Sequence, residues 1–141
     1  MKILETDHWC VLLPPEWRAE HDDDVVRIAD SDDIGEIELT TLCKDVGDVQ
    51  PEELEAMARG ESPEITDWQS ATLGAFSGWV GDFRDDGAYI REWYLAASNV
   101  LLYVTYICDE EDAAMDASAV VELLDTLVLG DSLLVTDSQD T

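Results

Sequence analysis

Positive charge is what this chain has least of. Seven basic residues, only Lys2 and Lys44 being lysines, face 34 acids among 141 residues, a formal net charge of −27. That shortage argues against direct binding to DNA, RNA or anionic membrane, whose phosphates are held by Lys and Arg. Histidine is nearly absent too: His8 and His21 stand alone, with no HExxH and no Cys–His cluster to hold a metal. The three cysteines, Cys10, Cys43 and Cys108, form no CxxC pair and are odd in number. They are expected as buried free thiols, which pack as small hydrophobes. Nucleophile elbows, phosphate loops and dinucleotide fingerprints are missing, since no GxSxG, GxxxxGK[ST] or GxGxxG occurs. No apolar run approaches the roughly 18 residues of a membrane-crossing helix. The opening "MKILETDHWC" has no basic region followed by a long apolar stretch, so no export signal is read there and the cytoplasm is the expected compartment. No residue is assigned to catalysis, to a cofactor or to a metal, and a non-enzyme is expected.

What the chain does have is the material for a core. Hydrophobic residues make up 46%, five of them Trp, enough to pack a single domain of this length. We place that domain over residues 1–130 and read 131–141 as a loose acidic tail, with Leu133–Val135 its one apolar stretch. The acidity keeps the molecule soluble and strains the compact state by self-repulsion at low salt. Ordinary surface solvation explains it most simply. Adaptation to a salty cytoplasm and imitation of a phosphate backbone are the alternatives, and the scatter of the acids over turns and polar strand faces disfavours imitation.

Periodicity supplies the elements. "MKILETDHWCVLLPP" reads as one or two strands closed by Pro14 and Pro15, which cannot continue a ladder. Trp17 anchors the corner, and an acidic loop follows through His21 and Asp22–Asp24. "VVRIAD" and "GEIELTTLCK" read as a hairpin joined through Asp30–Gly35, with Ile37, Leu39 and Thr41 sharing a face. "PEELEAMARG" is predicted as a helix, with Pro51 at its first position, Glu52 and Glu53 at the positive end of the dipole and Gly60 at the exit. Residues 68–109 read as an antiparallel meander turning at "RDDG" and "ASN". Within it Tyr89, Arg91, Trp93 and Leu95 face one way, and Ile90, Glu92 and Tyr94 the other. "DEEDAAMDASAVVELLDTLVL" is predicted as the strongest helix, capped by Asp109, stopped at Gly130 and striped by Ala113, Ala117, Val120, Val121, Leu124 and Leu127. The class is therefore α+β: an antiparallel β-sheet with flanking helices.

Candidate sites are few. "DSDDIGEIELTT" places Asp30, Asp32 and Gly35 at positions 1, 3 and 6 of an EF-hand loop, but Ile34 and Thr41 occupy positions that need oxygen ligands. An acidic turn is the simpler reading. His21 beside Asp22–Asp24 offers N and O ligands in a loop, again most simply solvated. Gly74, Gly78 and Gly81 fit bulges or close packing rather than a phosphate cradle. The aromatics exceed what one core face needs, and Trp79, Trp93, Tyr89 and Tyr94 are the candidates to line an apolar groove for a peptide or helix.

The run "WCVLLPPEW", followed by "VVRIAD…GEIELTTL", "PEELEAMA", "REWYLAASNVLLYVTYIC" and "VVELLDTLVL", resembles the Mog1/PsbP-like fold family over nearly the whole chain. The nearest likeness is to small bacterial proteins of the DcrB-like and DUF1795 type. The resemblance implies an antiparallel αβ sandwich, no catalytic residues, and protein binding as the common thread. Family members include an import accessory that binds a small GTPase, extrinsic photosystem subunits and chaperones of type VI secretion effectors. The expected function is a non-enzymatic adaptor or chaperone-like module for a basic or apolar partner segment, with a homodimer compatible. A cation- or small-molecule-binding protein, with loops 21–24 and 30–33 as carboxylate donors, and an acidic nucleic-acid mimic are the alternatives.

Overall fold

The structure, a computed structural model, describes residues 2–22, 24–31, 34–114 and 117–130. Asp23, Asp32, Asp33 and the tail 131–141, Leu133–Val135 included, lie outside the described residues. The expected carboxylate loops are therefore described only in part.

The α+β class holds: an antiparallel sheet is flanked by helices. The N-terminal run forms β1 (Lys2–Glu5) and β2 (Trp9–Leu13). Pro14 and Pro15 end β2, and the Trp17 N–H donates to the Pro14 carbonyl at 3.0 Å, turning the chain directly into β3 (Trp17–Asp22). The acidic loop expected after Trp17 is thus a strand. It pairs in full register with β4 (Val25–Asp30), Trp17 opposite Asp30 and Asp22 opposite Val25. Only Trp17 carries a strong apolar signal, and pairing with β4 supplies the rest. β4 pairs with β5 (Gly35–Cys43), whose Ile37 and Leu39 are fully buried as their alternation demands.

Helix α1 (Pro51–Glu61) starts with its Gln50 N–H donating to the Glu53 carboxylate at 3.1 Å. Glu53 also accepts from Lys44 Nζ at 2.8 Å, and Lys44 foremost holds its carboxyl below the usual range. The helix passes Gly60 by one residue and ends where the Ser62 N–H meets the Ala58 carbonyl. The meander follows as β6 (Gln69–Leu73), β7 (Phe76–Asp85), β8 (Ala88–Ala97) and β9 (Val100–Asp109). Its turns use left-handed backbone at Gly74, expected as a bulge or close-packing glycine but found turning β6 into β7, and at Asp86–Gly87 and Ser98, where Gly and short polar residues were read as turn signals.

The last predicted helix is broken. Among the described residues, 110–112 make a 3-10 turn, α2 covers Ala117–Leu124, and Val128–Leu129 form β10 beside β2. Side chains at the helix end explain the stop. Thr126 Oγ1 donates to the Leu123 carbonyl at 2.7 Å and accepts the Leu12 N–H at 2.8 Å, while Asp125 accepts the Gly74 N–H at 2.9 Å. The chain is thereby tied to β2 and to the β6–β7 turn, and the apolar Leu127–Leu129 leaves helical register to join β2.

Strands β3 to β9 make a seven-stranded sheet ordered β3-β4-β5-β9-β8-β7-β6; β1, β2 and β10 make a smaller one. The main core lies between the small sheet with α2 and one face of the large sheet: Trp9, Ile28, Ile37, Leu39, Phe76, Trp93, Leu102, Leu124 and Leu127 are all buried there. A smaller cluster of Leu54, Ala58, Ile65, Trp68, Tyr94 and Leu101 forms where α1 crosses the opposite face. Of the three thiols, Cys10 and Cys108 are buried as expected. Cys43, at the end of β5, is exposed.

Candidate functional site

The four aromatics proposed from sequence do not share a surface. Trp93 (1% exposed) points into the main core, with the Arg91 guanidinium 5.0 Å from its ring. Tyr89 (8% exposed) lies in the same core and donates to Asp82 at 2.8 Å. Burial first, then that hydrogen bond, pushes its phenol up to about 12. Tyr94 (3% exposed) sits under α1. Only Trp79 combines partial exposure with a groove. The period of two separated the faces of β8 correctly, but it could not say that both faces would be covered.

That groove, about 260 Å³, runs between the start of α1 and the β6–β7 hairpin. Val49, Pro51, Leu54 and Trp79 form its apolar wall, and Ser70, Thr72 and Ser77 supply hydroxyls. Ser70 lies opposite Trp79 in the ladder. β6 is an edge of the large sheet and reads Gln-Ser-Ala-Thr-Leu, without one charge. The opposite edge, β3, carries Arg18, Glu20, His21 and Asp22. Gly81, on β7 near α1, has the close-packing role expected of it: a Cβ there would collide with Ile65.

On the other flank of α1 a second hollow, about 300 Å³, is lined by Leu42, Met57, Tyr94, Leu101 and Tyr103, with Glu61 and Thr40. A polar cluster lies beneath this helix. The Ser62 hydroxyl donates to the buried Glu92 carboxylate and lies 3.0 Å from the Tyr94 hydroxyl. The Tyr94 and Tyr103 rings pack with centroids 4.9 Å apart, and Trp68 meets Tyr94 edge-on at 5.7 Å. Burial, reinforced by Glu92, holds Tyr103 far above the ordinary phenol range; burial likewise raises Tyr94, against the Ser62 hydrogen bond. Ser62 and Tyr103 keep the Glu92 carboxylate hydrogen-bonded inside the protein. Nothing in the sequence marks it, because Glu92 occupies a polar position of an alternating strand, and only α1 overhead makes that position an interior one.

His8 and His21 fare differently from their sequence reading. They line one hollow of about 300 Å³ at the open end between the two sheets, together with Glu5, Asp7, Asp24 and Thr41. Cys43 Sγ is 3.5 Å from His8 Nδ1 and 3.6 Å from Nε2. The turn that presents His8 is fixed by Thr6, whose Oγ1 accepts the His8 and Trp9 N–H groups at 3.2 and 3.0 Å. Elsewhere, Asp109, Glu111 and Asp112 form the only trio of ligand-type side chains within 4.8 Å of one another among the described residues. They are largely solvated acids at a turn. Asp30 of the failed EF-hand pattern is buried in β4. On the polar face of β4 and β5, Arg27 is surrounded by Asp22, Glu36 and Glu38 at 3.8, 3.7 and 3.4 Å.

The fold defines a class that recurs among bacterial αβ proteins. A crystal structure of a protein from Bacteroides thetaiotaomicron matches with a TM-score of 0.61 at 12% identity, covering 86% of this chain and 44% of that one. LpqN of Mycobacterium tuberculosis, described as involved in cell envelope biogenesis, matches with a TM-score of 0.58 at 19% identity, covering 86% of this chain and 82% of its own. This chain thus spans under half the length of the Bacteroides protein. At such identities the likeness is one of fold. No family model and no curated protein matches the sequence. Among the described residues no helix is long and apolar enough to cross a membrane.

Proposed function

We propose that this protein is a non-enzymatic adaptor or chaperone-like module that takes an extended partner segment along β6, with the groove under Trp79 as its anchor pocket. The observation that carries this reading is the pairing of an uncharged edge strand with a partly exposed Trp in a chain of net charge −27. An edge strand offers unpaired backbone groups to an incoming strand, and alternate side chains of the guest fall into the adjoining groove. The surrounding acids favour a partner with basic flanks and speed its encounter, an effect that salt weakens. The resemblance to Mog1/PsbP-like and DUF1795-type proteins, whose common thread is protein binding, supports the same reading.

Capture from a host lysate, followed by peptide scanning of whatever is retained, tests it. The expected guest is a short segment with apolar anchors and basic flanks, held less tightly as salt rises. Trp79→Ala and Ser70→Lys are expected to abolish capture while the fold survives. Retention unaffected by both substitutions overturns the proposal. Retention of DNA-binding proteins regardless of Trp79 replaces it with nucleic-acid mimicry. We place this function in the cytoplasm. Fractionation of the host with the envelope would move it towards the setting described for LpqN.

A further inference from the structure

We propose that the open end of the cleft between the two sheets binds a borderline-soft divalent cation of the zinc class, through His8, His21 and Cys43 with Asp24 as the oxygen donor. The chain has only two histidines, and the fold brings both to one hollow from positions 13 residues apart in sequence, on the β1–β2 turn and at the end of β3. Asp24 joins them from the β3–β4 turn, and Cys43 reaches His8 from the end of β5. Four separate segments thus deliver two imidazoles, a thiol and a carboxylate. That mixed N/S/O set suits zinc and its neighbours and is foreign to calcium or magnesium.

A sulfur and an imidazole of the set are already in contact. With zinc–sulfur near 2.3 Å and zinc–nitrogen near 2.0–2.1 Å, the S···N edge of a tetrahedral site is about 3.5 Å. Cys43 Sγ stands 3.5 Å from His8 Nδ1. Sγ is nearly equidistant from both ring nitrogens, so it faces neither lone pair as placed, and a turn of the His8 ring is what aims one nitrogen at a shared metal. The backbone beneath is held firmly: the Gly130 N–H donates to the His8 carbonyl at 2.9 Å, and the Thr41 N–H to the Asp24 carbonyl at 3.0 Å. No third ligand-type side chain among the described residues lies within 4.8 Å of both Cys43 Sγ and the His8 ring, so His21 and Asp24 must swing in. Both are exposed side chains, and rotation about their own bonds is what closes the site. Glu5 and Asp7 at the rim add negative potential that draws a cation in.

Cobalt reports on such a site by spectrum. The full-length, reduced protein is titrated with Co²⁺ in excess Mg²⁺ and moderate salt, which saturate the scattered acids. The expected result is a near-ultraviolet thiolate-to-cobalt charge-transfer band with the strong visible absorption of tetrahedral cobalt, displaced by one equivalent of Zn²⁺. Cys43→Ser removes the band, whereas Cys10→Ser, at a buried thiol outside the cleft, leaves it. His8→Gln and His21→Gln each weaken zinc binding by about tenfold or more, with circular dichroism confirming the fold of every variant. A pale octahedral spectrum abolished by Mg²⁺, no band, or a band that survives Cys43→Ser overturns the proposal.

Discussion

The two faces of the seven-stranded sheet are built to different standards. One is sealed by a second sheet and α2, and its central side chains, Ile28, Ile37, Leu39, Leu95, Leu102 and Val104, are fully buried. The other is crossed by a single eleven-residue helix, which leaves a groove on one flank, a hollow on the other, and a carboxylate held by hydroxyls beneath. The first face is where folding free energy is concentrated, since apolar area removed from water is the dominant favourable term. The second combines less apolar burial with polar groups that must stay paired. A molecule arranged this way can vary its open face for binding without dismantling its core.

Substitutions on the two faces test that division. Trp93→Ala on the sealed face should cost about 3–5 kcal/mol, enough to bring thermal unfolding close to working temperature or to abolish the fold. A loss under about 1 kcal/mol by denaturant titration would show that the sealed face is not the main source of stability. Under α1, Ser62→Ala removes a donor from buried Glu92 and should cost about 1–3 kcal/mol. A neutral result would mean that Tyr94 and Tyr103 satisfy the carboxylate without it.

Alkaline pH probes both faces together. Tyr89 on the sealed side and Tyr94 and Tyr103 on the open side all hold their protons above the ordinary value of 10.0. The unfolded chain therefore releases these protons first, and stability is retained below about pH 10 and falls as pH rises towards 12. Tyr89→Phe should flatten the part of that fall due to the sealed face. A stability profile level from pH 9 to 12 in both proteins would remove the argument. The smallest effect belongs to Trp79→Ala, expected to change stability by no more than about 1 kcal/mol because the ring is only partly covered. A loss as large as that of Trp93→Ala would make Trp79 a core residue and leave the open face without an anchor.

Much of this architecture was legible. The alternation in "GEIELTT", the turn residues Asp86–Gly87 and Ser98–Asn99, and Pro51 at a helix start all marked what formed. These are local signals, and local physics wrote them. What escaped depended on contacts between distant segments. β3 needs β4 to be a strand, and the last helix was shortened because Asp125 and Thr126 bond to a turn and a strand far away in sequence. The same holds for function. Trp93 and Trp79 look alike in an alternating pattern, and only the layer above each decides which is core and which is surface. Cys43 and His8, 35 residues apart, met without any spacing rule to announce them.

The bare edge at β6 bears on how the molecule survives in concentrated solution. An unprotected strand edge invites another copy to add to it, the first step towards aggregates, and proteins ordinarily guard such edges with local charges, proline or bulges. Here the guard is global. With 27 net negative charges, two copies repel before their edges can meet. That protection is removed by acidifying towards the isoelectric point near 4.1 and weakened by salt, so the condition that silences the charge is also the one that exposes the chain to precipitation by its own edge.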